Sequence, residues 1–106
     1  MKADFLEREF AHLGVPYRGG LLLLRPADAV ALIQRAADEG VSILGIDGLA
    51  ITERTTTSPL EHLADFSQLV AAGHGCWQEA EAFIRARQEN GLVFEVTLGQ
   101  DPLEAV

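Results

Sequence analysis

Two short stretches hold the side chains whose types and spacing could do chemistry. The first is Gly73-His74-Gly75-Cys76-Trp77, with the only cysteine of the chain at the predicted start of a helix. A helix N-terminus favours a thiolate, and His74 could act as its base. The competing explanation, a small buried hydrophobe at a helix start, is the preferred one. The second is His62 with Asp65, which share a face if their segment is helical. His74 or Asp47 could then complete a three-ligand metal site. Two ligands are not a motif, and no His-Glu-x-x-His pattern, cysteine cluster or calcium-loop spacing occurs. A solvated or capping histidine is preferred, and no metal is assigned.

Gly73 to Trp77 also resembles the Gly-Ser-Cys-Trp stretch around the nucleophile of papain-like proteases. Those enzymes supply their histidine far downstream, whereas no histidine follows His74, so the protease reading is set aside. Phosphate-binding signatures are missing: Gly73-x-Gly75 lacks a third glycine and a preceding strand, so no nucleotide cofactor is expected. No Gly-x-Ser-x-Gly elbow occurs, and Ser42, Ser58 and Ser67 have structural explanations. Asp47-Gly48 ends an apolar run where α/β folds place ligand sites, but the pair is a turn signal first. Trp77 is a core anchor or, if exposed, an interface hot spot beside Glu79 and Glu81. No catalytic residue is assigned.

The elements that must position these residues follow from apolar spacing and turn chemistry. Phe5, Leu6, Phe10 and Leu13 predict a short docking helix over 3–13, ended by Gly14, Pro16 and Gly19-Gly20. LLLLRPADAVALIQRAADEGVSILGIDG, residues 21–48, reads as strand, helix, strand. Leu21 to Leu24 is the first strand. Pro26 suits the first helical position and Gly40 the residue past the end. Ala29, Val30, Ile33, Ala36 and Ala37 form the buried stripe, with Asp28, Arg35 and Asp38 facing water. Val41 to Ile46 is the second strand, parallel to the first through a right-handed crossover. After Asp47-Gly48, Leu49 to Thr52 returns as a hairpin arm or continues as one bent strand.

Glu53 to Thr57 is a polar loop, and Ser58-Pro59-Leu60-Glu61 is a capping-box helix start. Leu60, Leu63, Phe66, Leu69 and Val70 continue at helical spacing to Gly73, with a possible break at Asp65 to Ser67. A last helix over 76–90 buries Trp77, Ala80, Phe83 and Ile84 and sets Glu81 and Arg85 at i,i+4 on its other face. Leu92, Phe94, Val96 and Leu98 then alternate with Glu95 and Thr97, a strand with one face in the core and one wet. The fold class is therefore α/β (α+β): one two-layer domain over 1–106, with a small mixed sheet of three to five strands, a βαβ unit and helices mainly on one face.

The 106 residues carry 16 acidic and 8 basic side chains, a net charge of −8. The basic ones (Lys2, Arg8, Arg18, Arg25, Arg35, Arg54, Arg85 and Arg87) are scattered, so nucleic-acid binding is not expected. No apolar run approaches the ~20 residues of a membrane span, and MKADFLEREF has acids where a signal peptide would be apolar. A lone cysteine gives no sign of an oxidising compartment. A cytoplasmic protein is expected, and a basic protein is its better electrostatic partner.

The run GVPYRGG into LLLLRPADA, the ILGIDG segment and the ending W-Q-E-A-E-A-F-I…F-E-V-T-L resemble small bacterial immunity proteins of polymorphic or colicin-type toxin systems. The helix-then-strand ending is also similar to barstar-like inhibitors. The resemblance implies a stoichiometric inhibitor whose acidic face plugs a basic toxin site. The leading expectation is thus a non-enzymatic binding module contacting its partner through Asp47, Glu53, Glu61, Asp65, Trp77, Glu79 and Glu81. The alternatives are a small hydrolase or isomerase using His62, Asp65, His74 or Cys76, and a subunit that self-associates through an edge strand, as in a homodimer.

Overall fold

A computed structural model describes residues 2–15, 22–51, 56–57, 62–88 and 91–99. Helix α1 (Lys2–Phe10) runs into a 3-10 turn at Ala11–Leu13, and α2 spans Pro26–Glu39. Strands β1 (Ile43–Ile51), β2 (Thr56–Thr57) and β3 (Leu63–Asp65) follow, then helices α3 (Ser67–Ala71) and α4 (Trp77–Arg85) and strand β4 (Val93–Leu98). The ends of α2 are written in its sequence. Pro26 opens it where no N–H is needed. Gly40 closes it at φ 71°, donating to the Ala37 carbonyl while the Val41 N–H reaches Ala36, which is a Schellman closure.

β1 is the spine of the sheet. It pairs antiparallel with β3 on one side and with β4 on the other, and its far end pairs with β2. Its register against β4 slips by one residue between Ile43↔Leu98 and Gly45↔Thr97, leaving Leu44 as a bulge. An extra residue reverses the in/out alternation beyond it. Ile43 and Ile46 therefore both reach the core, although three apart, and Gly45, Asp47 and Leu49 turn to the opposite face. On β4 the alternation is regular: Phe94, Val96 and Leu98 are buried, and Thr97 is exposed.

Helices α1, α2 and α4 pack against the inner face of this sheet, where Leu6, Phe10, Ala29, Leu32, Ile33, Ala80 and Ile84 join Ile46, Phe94 and Val96 in one apolar core. Arg35 ties the helix layer together, donating from Nε to Glu9 of α1 at 3.0 Å and from Nη1 to Glu39 at 2.9 Å. Gly48 faces Phe94 across the ladder, and a Cβ there would stand 3.2 Å from that ring and 3.1 Å from the His62 Cβ. Its missing side chain makes room for both.

Several elements differ from the sequence reading, each for a nonlocal reason. Of the expected strand over 21–24, Leu21 lies outside the described residues and only Leu24 pairs, through two hydrogen bonds with Phe94. Leu24 runs in the direction of β1, as the crossover requires, but β4 is inserted between them, so the βαβ unit is split and every ladder among the described residues is antiparallel. Asp47-Gly48 is no turn: β1 runs through it, the single-strand alternative. Of the capping-box helix, 58–61 lie outside the described residues. Leu63 to Asp65 is strand, because an edge of β1 offers it a ladder and the Phe66 N–H bonds to Leu44. Leu63, 48% exposed, was no core position. Phe5 is likewise exposed, Ala37 and Trp77 are only half-buried, and Leu32 joins the buried stripe. α4 stops at Arg85, where Arg87 turns back to lie 3.8 Å from the Phe83 ring centroid and donates to its carbonyl.

Phe94 is fully buried where both layers meet. Phe94→Ala is expected to cost about 3–5 kcal/mol, read as a lower urea midpoint with an unchanged slope.

Candidate functional site

The outer face of the sheet, opposite the apolar core, gathers the polar residues of three strands. In one cross-strand row Asp65 of β3, Gly45 of β1 and Thr97 of β4 stand side by side, and in the next stand Leu63, Asp47 and Glu95. Together with Ser67 they line an open groove of about 340 Å³. Gly45 keeps its centre low, since a Cβ there would come within 2.8 Å of the Ala64 carbonyl oxygen. No basic side chain lines the groove among the described residues.

The carboxylates of this face are not equivalent. Asp65 accepts a 2.9 Å hydrogen bond from the Ser67 N–H. The Ser67 hydroxyl and that N–H hold Asp65 below the usual carboxylate range and keep it charged. Glu95 is pushed the other way, first by burial and then by the negative charges of Asp47 across the ladder and Glu7 on α1. Like charges directly opposite on a sheet repel, and it is Glu95 whose ionisation this opposes.

The other residues singled out from sequence separate. His62 and Asp65 share no helix face: the strand sends Asp65 outward, while the His62 Cβ sits beside Gly48 on the Phe94 side. Cys76 is buried at φ 65°, its thiol 3.8 Å from the His74 carbonyl oxygen, and the His74 side chain is exposed. Burial and then Glu79 push the thiol up, opposing the thiolate that a helix start would favour. Among the described residues no group of three His, Cys, Asp or Glu side chains is placed to hold a metal.

Trp77 is half-buried and donates from Nε1 to the Val41 carbonyl at 2.7 Å, while its ring covers Gly75, where a Cβ would collide with it. Glu81 is engaged within the helix layer, by Arg85 Nε at 2.9 Å and Gln34 Nε2 at 3.3 Å, and these hydrogen bonds hold its carboxyl low. Glu79 is exposed on the same layer. Glu53 and Glu61 lie outside the described residues. The seven expected contact residues thus divide: Asp47 and Asp65 on the sheet face, Trp77, Glu79 and Glu81 on the helices. Glu95 was missed. The alternation of 92–98 did mark it as outward, but its importance comes from the register opposite Asp47.

No protein-family model and no curated protein matches the chain. Among the described residues no helix is long and apolar enough to cross a membrane.

The native thiol should react slowly with iodoacetamide, and its rate should rise by orders of magnitude on unfolding in urea; fast alkylation of the folded protein would contradict the burial of Cys76. A second expectation concerns Glu95. Its folded-state pKa is raised, so protonation stabilises the fold; that contribution is full below the ordinary glutamate value of 4.5 and is lost as pH rises through the folded value. Glu95→Gln should therefore be more stable than wild type near neutral pH, by roughly 0.2–1 kcal/mol, with the gap closing in acid. Chemical denaturation across pH measures both.

Proposed function

We propose that this chain is a non-catalytic acidic binding module that docks a basic protein on the outer face of its sheet and acts in the cytoplasm as a stoichiometric inhibitor of the immunity type. The observation that carries this reading is the cross-strand register that gathers Asp47, Glu95 and Asp65 on one open face beside the exposed Leu63. A net charge of −8 adds a long-range field that draws a cationic partner in. On contact, guanidinium or ammonium groups meet the carboxylates while Leu63 supplies an apolar anchor. Inhibition of this kind requires only that the partner's basic site be covered, so the module needs no reactive group.

Thr97 is exposed in the row of Gly45 and Asp65, so a lysine there sets one positive charge among the carboxylates without touching the core. Immobilised protein should retain from lysate of the source cells, at low salt, a basic protein in one-to-one ratio that is released as salt rises. Thr97→Lys should weaken that complex about tenfold or more, a loss of about 1.4 kcal/mol, and flatten its salt dependence. Equal retention by wild type and Thr97→Lys would remove the sheet face from the reading.

A further inference from the structure

We propose that helix α3 and the turn after it form a self-association face, through which two copies of this chain pair about a two-fold axis. This goes beyond the acidic docking surface and stands independently of it. α3 has five residues, too few to persist as a helix alone in water, and none of its side chains is buried. Both of its ends are fixed all the same. At the start Asp65 accepts from the Ser67 N–H, and the Phe66 N–H ties the entry to Leu44 of β1. At the end Gly73, at φ 98°, closes a second Schellman motif, with its N–H 3.0 Å from the Val70 carbonyl oxygen and the His74 N–H 2.9 Å from that of Leu69. A segment held at both ends while it buries no side chain is preorganised for an external contact.

The face is apolar and without charge. Leu69 is 41% exposed, Ala71 and Ala72 stand beside it in solvent, and the half-buried Trp77 follows. From Phe66 to Gln78 there is no aspartate, glutamate, lysine or arginine, the longest such run in a chain whose net charge is −8. That pattern selects the occupant. A basic partner is drawn to carboxylates, which this run lacks. Two copies of the chain repel wherever their acids are brought together, and like charges set against each other in an interface are costly; at an uncharged face the copies touch without that cost. In a two-fold pair the patch meets itself, so Leu69 and Ala72 of one copy pack on the same residues of the other. Salt then acts in opposite senses on the two associations: screening weakens the repulsion between copies and tightens their pairing, whereas docking of a basic partner on carboxylates loosens.

Sedimentation equilibrium of the full chain over a range of concentrations, at low and at raised salt, tests this. The mass should climb from one chain to two with concentration, and the dissociation constant should fall several-fold as salt is raised. Leu69→Lys should weaken pairing about tenfold or more. The added lysine lowers the net negative charge of each copy, which by itself favours association, so the loss reads the face and not the overall repulsion. The urea midpoint of Leu69→Lys should match wild type, and Ala72→Lys, at another exposed position, serves if the first variant does not fold. A single-chain mass at every concentration and salt, pairing that loosens as salt rises, or pairing left intact by both variants overturns the proposal. None of these outcomes bears on retention of a basic protein by the sheet face.

Discussion

The single extra residue at Leu44 is the constraint on which the architecture turns. A strand of nine residues with unbroken alternation would send Ile43 and Asp47 to the same face, leaving either a carboxylate in the core or an isoleucine in water. The bulge separates them. Ile43 and Ile46 close the core against Leu98 and Val96, and Asp47 is delivered to the outer face opposite Glu95. Core and site are thus two results of one slip in register.

The acid excess is used differently by the two layers. Among the helices, carboxylates take internal partners: Glu9 and Glu39 hold Arg35, and Glu81 holds Arg85 and Gln34. Exposed pairs of this kind contribute little stability each, and their role is to orient α1 on α2 and α2 on α4. On the sheet, Asp47 and Glu95 stand directly opposite each other across β1 and β4, and the Asp47 charge works against ionisation of Glu95.

How far the sequence could be read depended on whether an element is specified locally. α2 was legible to the residue, because Pro26 and Gly40 act on their own backbone. The alternation of β4 and the break at Gly73 to Gly75 were legible for the same reason. Asp47-Gly48 was not, since the pair that suits a tight turn also suits a strand whose glycine must clear an aromatic ring. Nor was β3: Leu63, Phe66 and Leu69 keep helical spacing, but pairing with β1 outweighs it and leaves Leu63 in solvent. For the site, the carboxylates were visible as polar positions, but the pairing of Asp47 with Glu95 was not, because it depends on a bulge that no local pattern announces.

Trp77 is the only tryptophan in the chain. Its indole bridges two junctions, hydrogen-bonded to the carbonyl that follows α2 and stacked over the glycine whose own carbonyl receives the Ile43 N–H at the start of β1. The protein thereby carries a built-in fluorophore at the seam between its layers. Its emission follows the separation of helices from sheet, while the acidic face, with no tryptophan near it, stays optically silent.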